Sequence, residues 1–124
     1  MAQTLILAAL LAAQSAAPAV LVEARGDRVD VGYSELAAGQ PQAAIERIQA
    51  NRAVDANDPA ALINLGAAHA RMGEMADARA FLAAAITSPD RYKLQLADGR
   101  WMDSRRAARL AMSQLQEGQV LAVR

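Results

Sequence analysis

Between residues 59 and 87, apolar side chains return every three or four positions: Leu62, Leu65 and the small Gly66, then Ala78, Leu82 and Ala85. That period is helical, and a glycine at 73 interrupts it where a chain reversal would fall. The pattern predicts helices at about 59–72 and 75–87. Asp58 is placed to cap the first, and Pro59 fits its first turn because its missing N–H has no partner there anyway. A weaker version upstream predicts helices at about 28–38 and 41–53, with Gly39 at the reversal and Pro41 repeating the part of Pro59. Past Pro89 the period changes to two. Tyr92, Leu94 and Leu96 alternate with Lys93 and Gln95, and Asp98-Gly99 follows. Asp-Gly between short alternating runs predicts a hairpin on a two-residue type I′ turn. Ala97 would then oppose Arg100, and Leu96 would face Trp101. Ser104 is expected to cap a last helix at about 105–116, with Ala108, Ala111, Met112 and Leu115 inward.

The two helical pairs match at one offset. Gly66 stands 34 residues after Gly32, Gly73 after Gly39, Ala78 after Ala44, and Leu82 after Ile48. A fixed period of this size marks stacked helical hairpins. The second copy reads Leu62-x2-Leu65-Gly66-x2-His69, then Gly73, Ala78-x3-Leu82, Ala85 and Pro89, and it resembles the tetratricopeptide repeat. Leu62 replaces that family's usual tryptophan and His69 its usual tyrosine. The first copy keeps Val31-Gly32, Gly39, Ala44-x3-Ile48 and the "DANDP" exit. It departs at Arg28 and Glu35, where large apolar residues are normal, and at Asn51, where a small buried one is. The expected fold is all-α: antiparallel helical hairpin repeats, a two-unit solenoid, with a small β-hairpin and a C-terminal capping helix. The repeat units fall at about 25–58 and 59–92, the hairpin at 92–102 and the cap at 105–116, all within a domain over 20–116. Residues 117–124 form a tail. Gly66, Ala78 and Ala85 would let neighbouring helices approach closely, while Leu62, Leu65, Leu82 and His69 fill the spaces beside them.

Composition refines this picture. The chain has 124 residues, enough for one domain, and 54% are apolar, but only 3% are aromatic. Its 13 basic and 13 acidic residues cancel, so no overall field draws it to nucleic acid or an anionic membrane. Without cysteine there is no disulfide and no thiolate site. The run Leu5–Ala13 is apolar throughout and too short to span a bilayer of about 30 Å. It leads into "QSAAPAV", whose small residues suit a signal peptidase. Residues 1–19 are therefore expected to be a signal peptide for export to a bacterial periplasm. The alternative is an uncleaved N-terminal segment that tethers the protein to the membrane.

Candidate chemistry is sparse. The single histidine excludes a two-histidine metal site, so neither a metal nor a cofactor is expected. The pairs Asp55/Asp58 and Glu74/Asp77 lie where helices begin and acidic groups favour the helix dipole. No nucleophile or phosphate-cradling loop accompanies them, so the chain does not read as an enzyme. The family resemblance implies instead a concave groove that takes a peptide or a partner helix. Its lining would be Val29, Tyr33 and Leu36 from the first unit, and Ile63, Asn64, Ala67 and Arg71 from the second. The expected partner is another protein, with self-association as the structural alternative. Arg105, Arg106 and Arg109, near Lys93 and Arg100, raise nucleic acid or lipid headgroups as a weaker reading, which the balanced charge disfavours.

Overall fold

The computed structural model describes residues 22–23, 30–51 and 53–117. In chain order these form β1 (Val22–Glu23), α1 (Tyr33–Ala37), α2 (Pro41–Ala50), α3 (Pro59–Arg71), α4 (Met75–Thr87), β2 (Lys93–Leu96), β3 (Trp101–Asp103) and α5 (Ser104–Glu117). The protein is mostly helical, with one small antiparallel sheet. The expected signal peptide, Val29 and the tail beyond Glu117 lie outside the described residues. Among the described residues, no helix is long and apolar enough to cross a membrane.

Helix α3 is the centre of the molecule. Asp58 caps it, with Oδ2 accepting the N–H of Ala61 at 2.9 Å, and Pro59 occupies its first turn. It packs most extensively on α4, and also on α2, α5, α1 and β1. Eleven of its 13 residues are buried, so it has no open face. Gly66 explains how α4 comes so close. A Cβ built there would meet Leu82 Cγ and Cδ2 at 2.9 Å and the Ala78 carbonyl oxygen at 3.3 Å. Leu62, Leu65, Ala78, Leu82 and Ala85 are all core residues.

The first pair departs from expectation. The sequence pattern predicts its leading helix at about 28–38, but α1 spans five residues and begins after Gly32. Gly32 sits at φ +70 and its N–H donates to Asp30 Oδ1 at 2.9 Å. That local turn competes with helix and delays its start. Gly32 is therefore the residue before the helix, not one within it. It still lies against α2: a Cβ there would meet the Ala44 oxygen at 3.1 Å and the Ala44 Cβ at 3.2 Å. Helix α2 stops at Ala50 rather than 53, because Asn51 turns extended and its Oδ1 accepts the N–H of Ala53. Ala44 and Ile48 are buried. Gly39 and Gly73 close the two pairs at φ +73 and +79.

The hairpin forms in a different register. Gln95 opposes Trp101 and Leu94 opposes Met102, so Leu96 faces Arg100 rather than Trp101. Of the turn residues only Gly99 has positive φ, and the Gly99 N–H donates to the Leu96 oxygen at 2.9 Å. This three-residue loop with a left-handed glycine replaces the type I′ turn. A one-residue shift turns side chains to opposite faces: Leu94 and Leu96 are buried, while Trp101 is 51% exposed. The other edge of β2 holds β1, with Val22 opposite Leu96 and Glu23 opposite Gln95. The hairpin thus ties the N-terminal part of the chain to the C-terminal part.

Helix α5 packs on α4 and α3 through the buried Ala107, Ala108 and Leu115, with Ala111 and Met112 half-buried beside them. Its cap is Asp103 rather than Ser104. Asp103 Oδ1 accepts the N–H groups of Arg105 and Arg106 at 3.1 and 3.2 Å. Ser104 is buried and exchanges two hydrogen bonds with Tyr92 instead: its N–H donates to the Tyr92 oxygen, and its Oγ accepts the Tyr92 N–H. The Tyr92 hydroxyl donates in turn to Asp58 Oδ1 at 2.6 Å. Burial, followed by this bond to a carboxylate, pushes the phenol well above its usual range. One aspartate therefore caps the central helix and anchors the hairpin.

Candidate functional site

Two polar side chains on α3 reach towards the first unit. Asn64 Nδ2 donates to the Val31 carbonyl oxygen at 2.9 Å, and Arg71 Nη1 donates to the Leu36 carbonyl oxygen. The order of contacts, 31 to 36 against 64 to 71, shows that α1 and α3 run in the same sense. Both bonds cross the face expected to form a groove. Leu36, Ile63 and Asn64 are fully buried and Ala67 nearly so, so these four offer a partner no surface. The reason is the packing of α1 and β1 directly on α3. Tyr33 and Arg71 are half-buried and stand at the rim; Val29 lies outside the described residues.

Arg71 is electrostatically unusual. Burial alone lowers the pKa of its guanidinium, and among the described residues no carboxylate forms an ion pair with it. Arg105, the other half-buried arginine among the described residues, donates from Nη2 to the Ser88 carbonyl oxygen at 3.1 Å, and its Nε is enclosed without a partner among those residues. Arg91 bonds Asp103 at 2.7 Å and Arg100 bonds Asp98 at 2.6 Å. Those contacts hold both carboxyls below their usual range: Asp103 mainly through the Arg91 side chain, Asp98 mainly through the Arg100 backbone N–H. Only Arg106 and Arg109 of the arginines on α5 stand exposed. Of the expected basic cluster, Arg100 is paired with a carboxylate and Arg105 bonds a backbone carbonyl, while Lys93, Arg106 and Arg109 stand exposed.

A third place was missed by sequence reasoning. His69 in the last turn of α3 stacks on Phe81 of α4, with ring centroids 5.1 Å apart and planes 19° apart. Its Nδ1 lies 3.5 Å from Glu74 Oε2, and donor atoms of His69, Glu74 and Asp77 all lie within 4.8 Å of one another. In the sequence the two acidic residues stand as a helix-entry pair favoured by the dipole. The signal was the Gly73 reversal, which folds position 69 over positions 74 and 77.

No protein-family model matches the chain, and neither a curated protein nor a solved structure matches it.

Proposed function

We propose that this protein is a non-catalytic interaction module, a two-hairpin scaffold of tetratricopeptide-like organisation that holds an extended peptide by a carboxylate. The duplicated geometry supports the family likeness: Gly32 lies against Ala44 as Gly66 lies against Ala78, twelve residues on in each case. So does the common sense of α1 and α3. The observation that carries the binding reading is Arg71. A half-buried guanidinium with one backbone acceptor and no counter-charge among the described residues is a site for an incoming carboxylate, which it can grip through two parallel hydrogen bonds. Tyr33, three residues before Leu36 on α1, offers the apolar rim. The setting we infer is the periplasm, in line with the N-terminal apolar run.

Fluorescence anisotropy with a panel of short labelled peptides, each made with a free and an amidated C-terminus, tests this. Free-acid peptides should bind and their amides should bind at least about tenfold more weakly, a loss of roughly 1.4 kcal/mol. Arg71→Met should erase the difference. Equal affinity for acid and amide, or discrimination that survives Arg71→Met, rejects the reading.

A further inference from the structure

We infer that His69, Glu74 and Asp77 form a binding site for a divalent cation of the zinc type, a clip across the α3–α4 reversal. The His69 ring is the least satisfied member of the set. Its Nδ1 is enclosed and has no hydrogen-bond partner among the described residues, which is rare for a buried polar atom and calls for an explanation. If Nδ1 carries a lone pair, it confronts the Glu74 carboxylate, acceptor against acceptor. If it carries the proton, 3.5 Å is beyond the usual N–H···O range. A cation between them resolves both cases. With Zn–N and Zn–O bonds of about 2.0–2.1 Å, neighbouring ligand atoms on a tetrahedron lie about 3.3 Å apart, close to the spacing of Nδ1 and Oε2.

The usual employment of an acidic residue at this place is helix capping, and Glu74 does not perform it. It stands at the N-cap of α4 with no side-chain cap bond; its carboxylate turns back towards His69 instead. Asp77, on the exposed side of the first turn of α4, supplies the third donor. The donor atoms lie within 4.8 Å of one another, and side-chain adjustment among them brings the set to the spacing of a metal's ligands. The helix dipole places about half a positive charge at the start of α4, and two carboxylates outweigh it. One imidazole nitrogen and two carboxylate oxygens favour a borderline metal over magnesium or calcium, which prefer oxygen-only sites of higher coordination. Three protein ligands leave a fourth position for water. The first unit contains no such set: 34 residues earlier stand Glu35, Gln40 and Ala43.

The chain holds one histidine and no cysteine, so any metal-bound imidazole in the protein is His69. The test uses the full, untagged chain stripped with a chelator. ZnCl2 is titrated by calorimetry, and the imidazole nitrogens are followed by ¹⁵N NMR. One saturable site is expected, with a shift at Nδ1 larger than that at Nε2 and a rise in melting temperature with added zinc. Losing a partner outside the metal's own ligands already costs about 10- to 100-fold in affinity; Asp77→Asn, at an exposed position, should cost at least that. His69→Phe, which keeps the stack on Phe81, should abolish binding, while Glu46→Gln on α2 should leave it unchanged. Failure to saturate below about 1 mM zinc, or zinc binding that survives both His69→Phe and Asp77→Asn, overturns the inference.

Discussion

The two helical pairs use the same frame and fill it with different chemistry. At an offset of 34 residues, Gly32 and Gly66 each abut an alanine twelve residues on. At the same offset Glu35 corresponds to His69 and Arg47 to Phe81, and each of those pairs also meets. In the first unit the contact is a salt bridge, Arg47 Nε to Glu35 Oε1 at 3.0 Å. In the second it is a ring stack. The leading helices differ as well, with five residues in α1 against 13 in α3. What is duplicated is the notch where two segments cross. Helix length and the outer pair are left to the local sequence. Both units contribute to the core, and the one with the ring stack supplies its central helix, α3.

The notches themselves give the largest expected effect. Leu82→Ala should cost about 2–5 kcal/mol, the usual range for truncating a buried leucine. Gly66→Ala in the native background should also destabilise, because the new methyl group meets Leu82 Cγ at 2.9 Å. With Leu82 already cut to alanine the carbon obstacle is gone and only the Ala78 oxygen, at 3.3 Å, stays near the new methyl group. Gly66→Ala then gains the helix preference of alanine over glycine, about 1 kcal/mol, so the sign of the substitution should reverse. Gly32→Ala should show no such reversal when Ala44 is changed to Gly, since the residue sits at φ +70, which costs an L-residue about 1–2 kcal/mol, and the Ala44 oxygen, at 3.1 Å, is closer than the Ala78 oxygen is at Gly66. Denaturant melts of the six variants decide it. Gly66→Ala stabilising the native background would show that the second notch is loose and that the two crossings are not alike.

The same contrast shows what was legible beforehand. Helices α3 and α4 were placed to within a residue, because their period, cap, proline and glycine all agree. Helix α1 was overextended, because Gly32 was assumed to sit in a helix by analogy with Gly66; the competing signal was Asp30, two residues earlier, whose side chain closes a local turn. The hairpin was recognised from Asp98-Gly99, but the dipeptide fits both a two-residue and a three-residue loop, and the choice decides which way Trp101 points. The groove residues follow from the family resemblance, which implies that the inner face of each leading helix is open. No local pattern in α3 reveals that α1 and β1 cover that face, since both coverings are long-range. The His69 cluster escaped for a related reason, as its members are contiguous only once Gly73 has reversed the chain.

The outer pairs come next in size. Phe81→Ala removes a half-buried ring and its stack on His69. An aromatic pair is worth about 0.5–1.5 kcal/mol beyond the area it buries, so a total loss of about 1–3 kcal/mol is expected. The loss should be the same in low and high salt, because no charge is removed. A loss that shrinks strongly with salt would mean that the His69–Glu74 charge contact, and not the stack, holds the second pair.

Arg47→Ala should produce the smallest change, and one of a different kind. The guanidinium reaches Asp30 at 3.3 Å as well as Glu35, but its side chain is 56% exposed. Exposed pairs of this sort contribute little and are screened by salt. The hydrogen bond to Glu35 and the charge of Asp30 raise its pKa further, so Arg47 stays charged throughout the working range and ionic strength is the variable that can weaken it. At low salt, Arg47→Ala should lower the melting temperature by less than Phe81→Ala does. In 1 M salt, where the screening length falls to about 3 Å, wild type and variant should melt together. A difference that persists in 1 M salt would mean that Arg47 holds the first unit by packing its alkyl stem against α1, and the two outer pairs would then differ in residue type but not in the physics that makes them stick.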